Sequence, residues 1–137
     1  MARGFVVSTA DKNAKFWQSQ ILAACAEALI INECYRFPKG AMLAFIAVFR
    51  MPTKTKKRWG TPHTSRPDID NLIKLPMDVI SKTEVMPEDS HVWQVFGCKT
   101  WSPPDQAGAT FTIQETMTPL VAVGEHRAQL NGTDWLS

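Results

Sequence analysis

The sequence lacks long apolar runs and paired cysteines, and each absence excludes a class of protein. Its longest uninterrupted apolar run, residues 41–49, has nine residues, well short of the roughly 20 that a membrane-spanning helix needs. The first residues show no basic-then-apolar export signal. Cys25, Cys34 and Cys98 include no C-x-x-C pair, which argues against a disulfide framework and against a cysteine-built zinc site. We therefore expect a cytoplasmic protein with no membrane partner.

The 137 residues, 45% of them hydrophobic and 20% charged, are enough for one globular domain. Apolar residues recur at helical or strand spacing along most of the chain. The predicted elements are helices at residues 10–30 and 70–81 and strands at residues 41–50, 91–101 and 109–115. The last two strands flank a Pro-Pro-Asp turn and are predicted to pair as an antiparallel hairpin. The expected fold is α+β (mixed α/β), a single compact domain with two helices on a small mixed sheet, in the order α-β-α-β-β.

Acidic residues are absent between Arg50 and Arg66, and this stretch is strongly basic. Its basic side chains are Arg50, Lys54, Lys56, Lys57, Arg58 and Arg66. Such a run is either a solvated, mobile loop or a surface that holds a polyanion such as nucleic acid. The histidine within it, His63, is predicted to be a solvent-exposed loop residue. The residues that follow have to decide between the two interpretations.

Two aspartates follow the basic stretch, in the sequence Arg-Pro-Asp68-Ile-Asp70. Pro67 favours extended backbone before it, and in an extended segment Asp68 and Asp70 point to the same face. Neighbouring carboxylates repel each other unless a cation lies between them, and Mg²⁺ and Mn²⁺ prefer oxygen ligands. Lys74 comes four residues after Asp70, so its ammonium reaches the pair if Asp70 opens the helix. The alternative is that Asp70 is simply an N-cap residue.

Glu88 and Asp89 form a further acidic element, with Asp89 19 positions beyond Asp70. Since a helix leads away from the aspartate pair and a strand begins just after Asp89, this path can return Asp89 to the side of Asp68 and Asp70. Three carboxylates beside a basic loop are typical of metal-assisted phosphodiester cleavage, in which a cation activates water and stabilises charge on the phosphate. The alternative is that Asp89 belongs to a turn after Pro87.

The stretch Arg-Pro-Asp-Ile-Asp-Asn-Leu-Ile-Lys, followed by an apolar helix and by Glu-Asp-Ser-His-Val, resembles the RusA family of Holliday junction resolvases. Members of that family are small homodimeric endodeoxyribonucleases with the pattern D-x-D-N-x-x-K and a later acidic pair. The resemblance implies that Asp68, Asp70 and Asp89 are catalytic carboxylates that bind Mg²⁺, or alternatively Mn²⁺. It implies that Lys74 supports cleavage.

The same resemblance implies a four-way DNA junction as the partner and a bacterial or phage-infected cell as the setting. Residues 1–116 would form the nuclease domain and residues 117–137 a C-terminal tail. The family's usual first strand is expected to be absent from this chain.

The favoured function is a Mg²⁺-dependent, structure-selective endonuclease that resolves Holliday junctions by paired symmetric nicks in recombination and repair. A homodimer would hold the DNA by phosphate contacts, and the contacting residues are predicted to be Lys54, Lys56, Lys57, Arg58 and Arg66. The alternative is a non-catalytic DNA-binding accessory protein with the same fold. The basic stretch fits both, whereas carboxylates weaken phosphate binding unless a cation intervenes. A glycosyltransferase motif is a third interpretation, but no Gly-rich phosphate loop is present.

Overall fold

The structure, a computed structural model, describes residues 4–9, 17–33, 35–86 and 91–120 of the chain. Its α-helices and β-strands are β1 Gly4–Thr9, α1 Trp17–Ile31, β2 Leu43–Pro52, α2 Ile69–Ile80, β3 Val92–Ser102 and β4 Gly108–Glu115. The predicted α+β fold, with two helices on a small mixed sheet, is confirmed. No helix in the described ranges is long and apolar enough to cross a membrane.

The predicted order α-β-α-β-β is wrong at its start, because β1 precedes α1. The family's usual first strand was expected before residue 3, so β1 is a different strand and that expectation stays a prediction. β1 pairs with β4 along its whole length, in antiparallel register from Gly4 opposite Gln114 onward. Phe5 is fully buried whereas Val6 is exposed, as expected for an edge strand with one face on the core. The sequence of β1, Gly-Phe-Val-Val-Ser-Thr, does not alternate apolar and polar residues and so lacks the periodicity of a half-buried strand.

The strand order in the sheet is β1-β4-β2-β3, with β2 parallel to β3 and antiparallel to β4. The predicted hairpin of β3 and β4 is therefore wrong, since β2 lies between them. A 3₁₀ turn at Pro104–Gln106 carries the chain past β2. Arg50 stabilises this connection through two hydrogen bonds of 2.9 Å. Its Nε donates to the Gln106 carbonyl, and its Nη1 donates to Thr110 Oγ1. β2 has a neighbour on each edge, and its apolar residues 43–45 are buried on both faces of the sheet.

The core lies between the two helices and the face of the sheet that carries Phe45, Phe49 and Phe111. The ring of Phe111 stacks on Phe45 with centroids 5.8 Å apart and meets Phe49 edge-on, also at 5.8 Å. The helices contribute Ile21, Cys25 and Ala28 from α1 and Pro76, Val79 and Ile80 from α2. This packing holds α2 in place and so positions its N-terminal end, where the acidic motif lies.

Candidate functional site

The acidic motif lies where the chain changes from extended to helical. Asp68 is extended (φ −69°, ψ 147°) and is the N-cap residue of α2, and its carbonyl accepts the Leu72 N–H at 3.1 Å. The side chain of Asp68 makes no capping hydrogen bond. The predicted extended entry into Asp68 is confirmed, whereas the alternative that Asp70 is the N-cap is wrong, because Asp70 lies within the first turn. The helix therefore leaves the Asp68 carboxylate unused.

Ile69 separates the two carboxylates and packs toward the core. It is half-buried, whereas Asp68 and Asp70 on either side of it are exposed. Only Asp68 is extended, so the anchored side chain of Ile69, rather than strand alternation, leaves both carboxylates at the surface. Asp70 Oδ1 accepts the Asn71 N–H at 2.9 Å. Lys74, one turn after Asp70, is exposed and forms no ion pair with either carboxylate.

Asp89 and its neighbour Glu88 lie outside the described residues, so their place beside Asp68 and Asp70 stays a prediction. Among the His, Cys, Asp and Glu side chains of the described ranges, no three form a group that could hold a metal ion. The described pair nevertheless suits a hard divalent cation, since both carboxylates are exposed oxygen ligands and that of Asp68 is unused by the helix.

The predicted DNA-contacting residues of the basic stretch are exposed but the chain that carries them is anchored. Three of them form a 3₁₀ turn, Lys56–Arg58, and Lys54 precedes it. After the turn, Trp59 Nε1 donates to the Thr53 carbonyl at 2.8 Å. Arg66 is also exposed and lies two residues before the first carboxylate. The basic turn is therefore held close to the ends of β2 and β3 and is not a loose loop.

The segment between the basic turn and the carboxylates pairs with the edge of β3, which the sequence did not predict. The Gly60 N–H donates to the Trp101 carbonyl at 2.9 Å, and the His63 N–H donates to the Lys99 carbonyl at 3.0 Å. His63 is only 5% exposed, so the prediction of a solvent-exposed histidine is wrong. Burial, together with the nearby Lys99 ammonium, lowers the pKa of His63.

Lys99 is a further residue of this site that sequence reasoning missed. Its Nζ donates to the carbonyl oxygens of Ser65 at 2.5 Å and Pro67 at 2.6 Å. The Arg66–Pro67 peptide bond between those carbonyls is cis. The signal available in the sequence was that Lys99 is the single charged residue of β3. That signal says nothing about its partners, which are more than 30 positions away.

The fold and the site define a small α+β domain. It presents the carboxylates of Asp68 and Asp70 and the ammonium of Lys74 at the start of α2, next to the basic stretch that leads into them. The family model of endodeoxyribonuclease RusA matches residues 4–110, and the chain belongs to that family. A relative from Lactococcus phage r1t, the crossover junction endodeoxyribonuclease rusA, is 40% identical over 61 residues. The aligned part is 44% of this chain and 45% of the relative, so the chain spans a little under half the length of the relative it matches.

Proposed function

We propose that the protein is an endodeoxyribonuclease that resolves four-way DNA junctions with the help of a divalent cation. The observation that carries the proposal is the pair of exposed carboxylates, Asp68 and Asp70, at the start of α2. Membership of the RusA family supports nuclease chemistry, and the name of the phage relative supports a crossover junction as the substrate. Mg²⁺ is the expected cation and Mn²⁺ the alternative, since both prefer oxygen ligands.

Each site residue has a distinct role in this proposal. Asp68, Asp70 and Asp89 would hold the cation, and a bound cation would supply activation of water and stabilisation of charge on the phosphate. The Asn71 N–H occupies Oδ1 of Asp70 and thereby orients the carboxylate. Lys74 carries its ammonium one helical turn beyond Asp70, where it attracts the phosphate that is to be cleaved.

Lys54, the basic turn and Arg66 are proposed to hold the DNA through its phosphates. Lys56–Arg58 contains no acidic side chain, and all three residues are exposed. A homodimer would present two carboxylate sites related by a two-fold axis, which suits paired symmetric nicks in opposed strands. The nuclease domain of residues 1–116, the tail of residues 117–137 and action in the cytoplasm of a bacterial or phage-infected cell belong to the same proposal.

The test is cleavage of a synthetic four-way junction in Mg²⁺, in Mn²⁺ and in EDTA, by the unaltered chain and by Asp70→Asn. The matched control is Asp78→Asn, because Asp78 is an exposed aspartate of the same helix. The expected result is paired nicks from the unaltered chain and from Asp78→Asn with either metal and none in EDTA. Asp70→Asn should bind the junction without cutting it.

The same assay separates the nuclease from the non-catalytic accessory protein. An accessory protein would bind the junction tightly without metal and would leave it intact in both Mg²⁺ and Mn²⁺. Equal cleavage by Asp70→Asn and Asp78→Asn would contradict the assignment of the carboxylate pair, even if the protein proved to be a nuclease.

A further inference from the structure

Lys99 is joined to the segment that leads into the acidic motif by three hydrogen bonds. Its carbonyl accepts the His63 N–H at 3.0 Å. Its ammonium donates to the carbonyls of Ser65 and Pro67 at 2.5 and 2.6 Å. These partners are alternate residues of a segment that bends at residues 65–67. The last of them immediately precedes Asp68.

Backbone pairing between this segment and β3 ends at His63, and beyond it the Lys99 ammonium makes the hydrogen bonds to the segment. Beyond that residue no further backbone hydrogen bond between the segment and β3 is found in the described chain. The side chain of Lys99 reaches across and donates to the carbonyls of Ser65 and Pro67. Because an ammonium has three donors, these two bonds leave one for water or another acceptor.

The contacts of Ile69 and Ile73 place the start of α2 on the same strand. A methyl group added at Gly97 would lie 2.6 Å from Ile73 Cδ1 and 3.6 Å from Ile69 Cγ1. Residues 97 and 99 of β3 therefore contact the chain on both sides of Asp68. Packing fixes the helix after it, and the Lys99 ammonium fixes the backbone before it.

We propose that Lys99 is a positioning residue for the carboxylate pair, one that sets the backbone direction from which Asp68 presents its oxygens to the cation. This inference rests on the proposed function, since it assigns Asp68 to a cation. Residues that orient metal ligands commonly change metal affinity or activity by about 10- to 100-fold when they are replaced. Lys99 acts through the Ser65 and Pro67 carbonyls and touches neither carboxylate.

The test compares Lys99→Met with Lys82→Met, an exposed lysine just after α2, and with Lys99→Arg. Three quantities are measured for each: Mn²⁺ affinity of the DNA-free protein by electron paramagnetic resonance, junction affinity as a function of salt in EDTA, and the unfolding midpoint. Lys99→Met is expected to lower Mn²⁺ affinity about 10-fold with little change in the unfolding midpoint, because the exposed carbonyls regain water. Lys99→Arg, which keeps donors for both carbonyls, should recover most of that affinity.

Several outcomes would overturn the inference. Unchanged Mn²⁺ affinity in Lys99→Met, as in Lys82→Met, would show that the ligands do not depend on the ammonium. A junction affinity that falls together with its salt dependence, at constant Mn²⁺ affinity, would make Lys99 a phosphate contact instead. If Lys99→Met fails to fold, Lys99→Gln keeps the stem and one donor, and the Mn²⁺ comparison is made with that variant.

The nuclease proposal and the positioning proposal fail separately. If the unaltered chain binds Mn²⁺ but cuts no junction, the proposed function is wrong while the Mn²⁺ comparison still decides the role of Lys99. If the chain cuts junctions and Lys99→Met binds Mn²⁺ as well as the unaltered chain does, only the role of Lys99 is wrong.

Discussion

The imidazole of His63 packs on the indole of Trp101, with ring centroids 4.3 Å apart and ring planes inclined by 57°. His63 Nδ1 is buried and has no hydrogen-bond partner. Burial, and after it the nearby Lys99 ammonium, which disfavours a second positive charge, lower the pKa of His63 below the ordinary 6.5. The neutral imidazole is therefore part of the anchor that joins the basic segment to β3.

The first prediction is that stability falls below pH 6.5 through His63. Because the pKa of His63 is lower in the folded chain, the unfolded chain takes up the proton first. The contribution of His63 is thus complete above pH 6.5 and is lost as the pH falls through the lower folded pKa, with a slope of at most about 1.4 kcal/mol per pH unit. Urea unfolding between about pH 5 and pH 8 should show a flatter pH dependence for His63→Gln.

The control for this prediction is His91→Gln, which removes a histidine from the start of β3 outside the anchor. The flattening should be larger in His63→Gln than in this variant, because the imidazole of His63 is the buried one. A pH dependence that is equally flat in both variants, or unchanged in His63→Gln, would contradict the buried neutral imidazole.

Two glycines provide the second prediction, because a Cβ at each would meet a different kind of neighbour. At Gly4 it would collide with the backbone carbonyl oxygen of Ile113, which β1–β4 pairing holds in place. At Gly97 it would meet Ile73 Cδ1, the far end of a flexible side chain. Gly4→Ala should therefore destabilise the fold by the about 1–3 kcal/mol typical of overpacking, and by more than Gly97→Ala does.

Thermal or urea unfolding of both variants measures this difference. Adding Ile73→Val to Gly97→Ala should recover part of the loss, since it removes the colliding methyl, whereas Ile73→Val alone should only destabilise. If Gly4→Ala and Gly97→Ala lose equal stability, the freedom of the colliding atom to move does not determine how far each substitution destabilises the fold.

The third prediction concerns the basic turn. If Lys57 contacts a DNA phosphate, Lys57→Gln should weaken junction binding for all sequences and lower the slope of log Kd against log salt by about one. Lys39→Gln is the matched control, since Lys39 is exposed near the start of β2, away from the basic turn. The measurement is fluorescence anisotropy of a labelled junction in EDTA over a range of salt. Equal slopes for Lys57→Gln and Lys39→Gln would contradict the assignment of Lys57 as a DNA contact.

The sequence predicts local elements here better than it predicts which elements meet. The apolar run after Ala41 predicts β2, and the spacing from Asp70 to Ile80 predicts α2, because both depend on residues close in the chain. The internal place of β2, by contrast, depends on contacts such as Arg50 with Gln106, 56 positions apart. No local pattern encodes a pairing at that distance, so the hairpin prediction followed proximity in the chain and was wrong.

The same distinction between local pattern and distant contact applies to the candidate site. The residue types of Asp68, Asp70 and Lys74 and their spacing are visible in the sequence, and the structure places all three at the exposed start of α2. The anchoring of the preceding segment is not visible, because it depends on Lys99 and His63 meeting at the edge of β3. Charge patterning alone therefore left a mobile loop as one of two interpretations, where the fold forms an anchored edge.

The last prediction is that divalent cations stabilise the fold through the carboxylate pair. A cation that binds only the folded chain adds RT ln(1 + [L]/Kd) to the free energy of unfolding, or about 2.7 kcal/mol at 100 times Kd. Urea unfolding should thus move to higher midpoints in MnCl₂ than in KCl of equal ionic strength. Asp70→Asn should abolish the gain, and without metal it should cost only the about 0.3–1 kcal/mol that an exposed acidic side chain in the first turn of a helix contributes. Asp78→Asn, the matched control, should keep the whole gain. If Asp70→Asn and Asp78→Asn gained equally from MnCl₂, the cation would be binding elsewhere, and the carboxylates at the start of α2 would lose their proposed role.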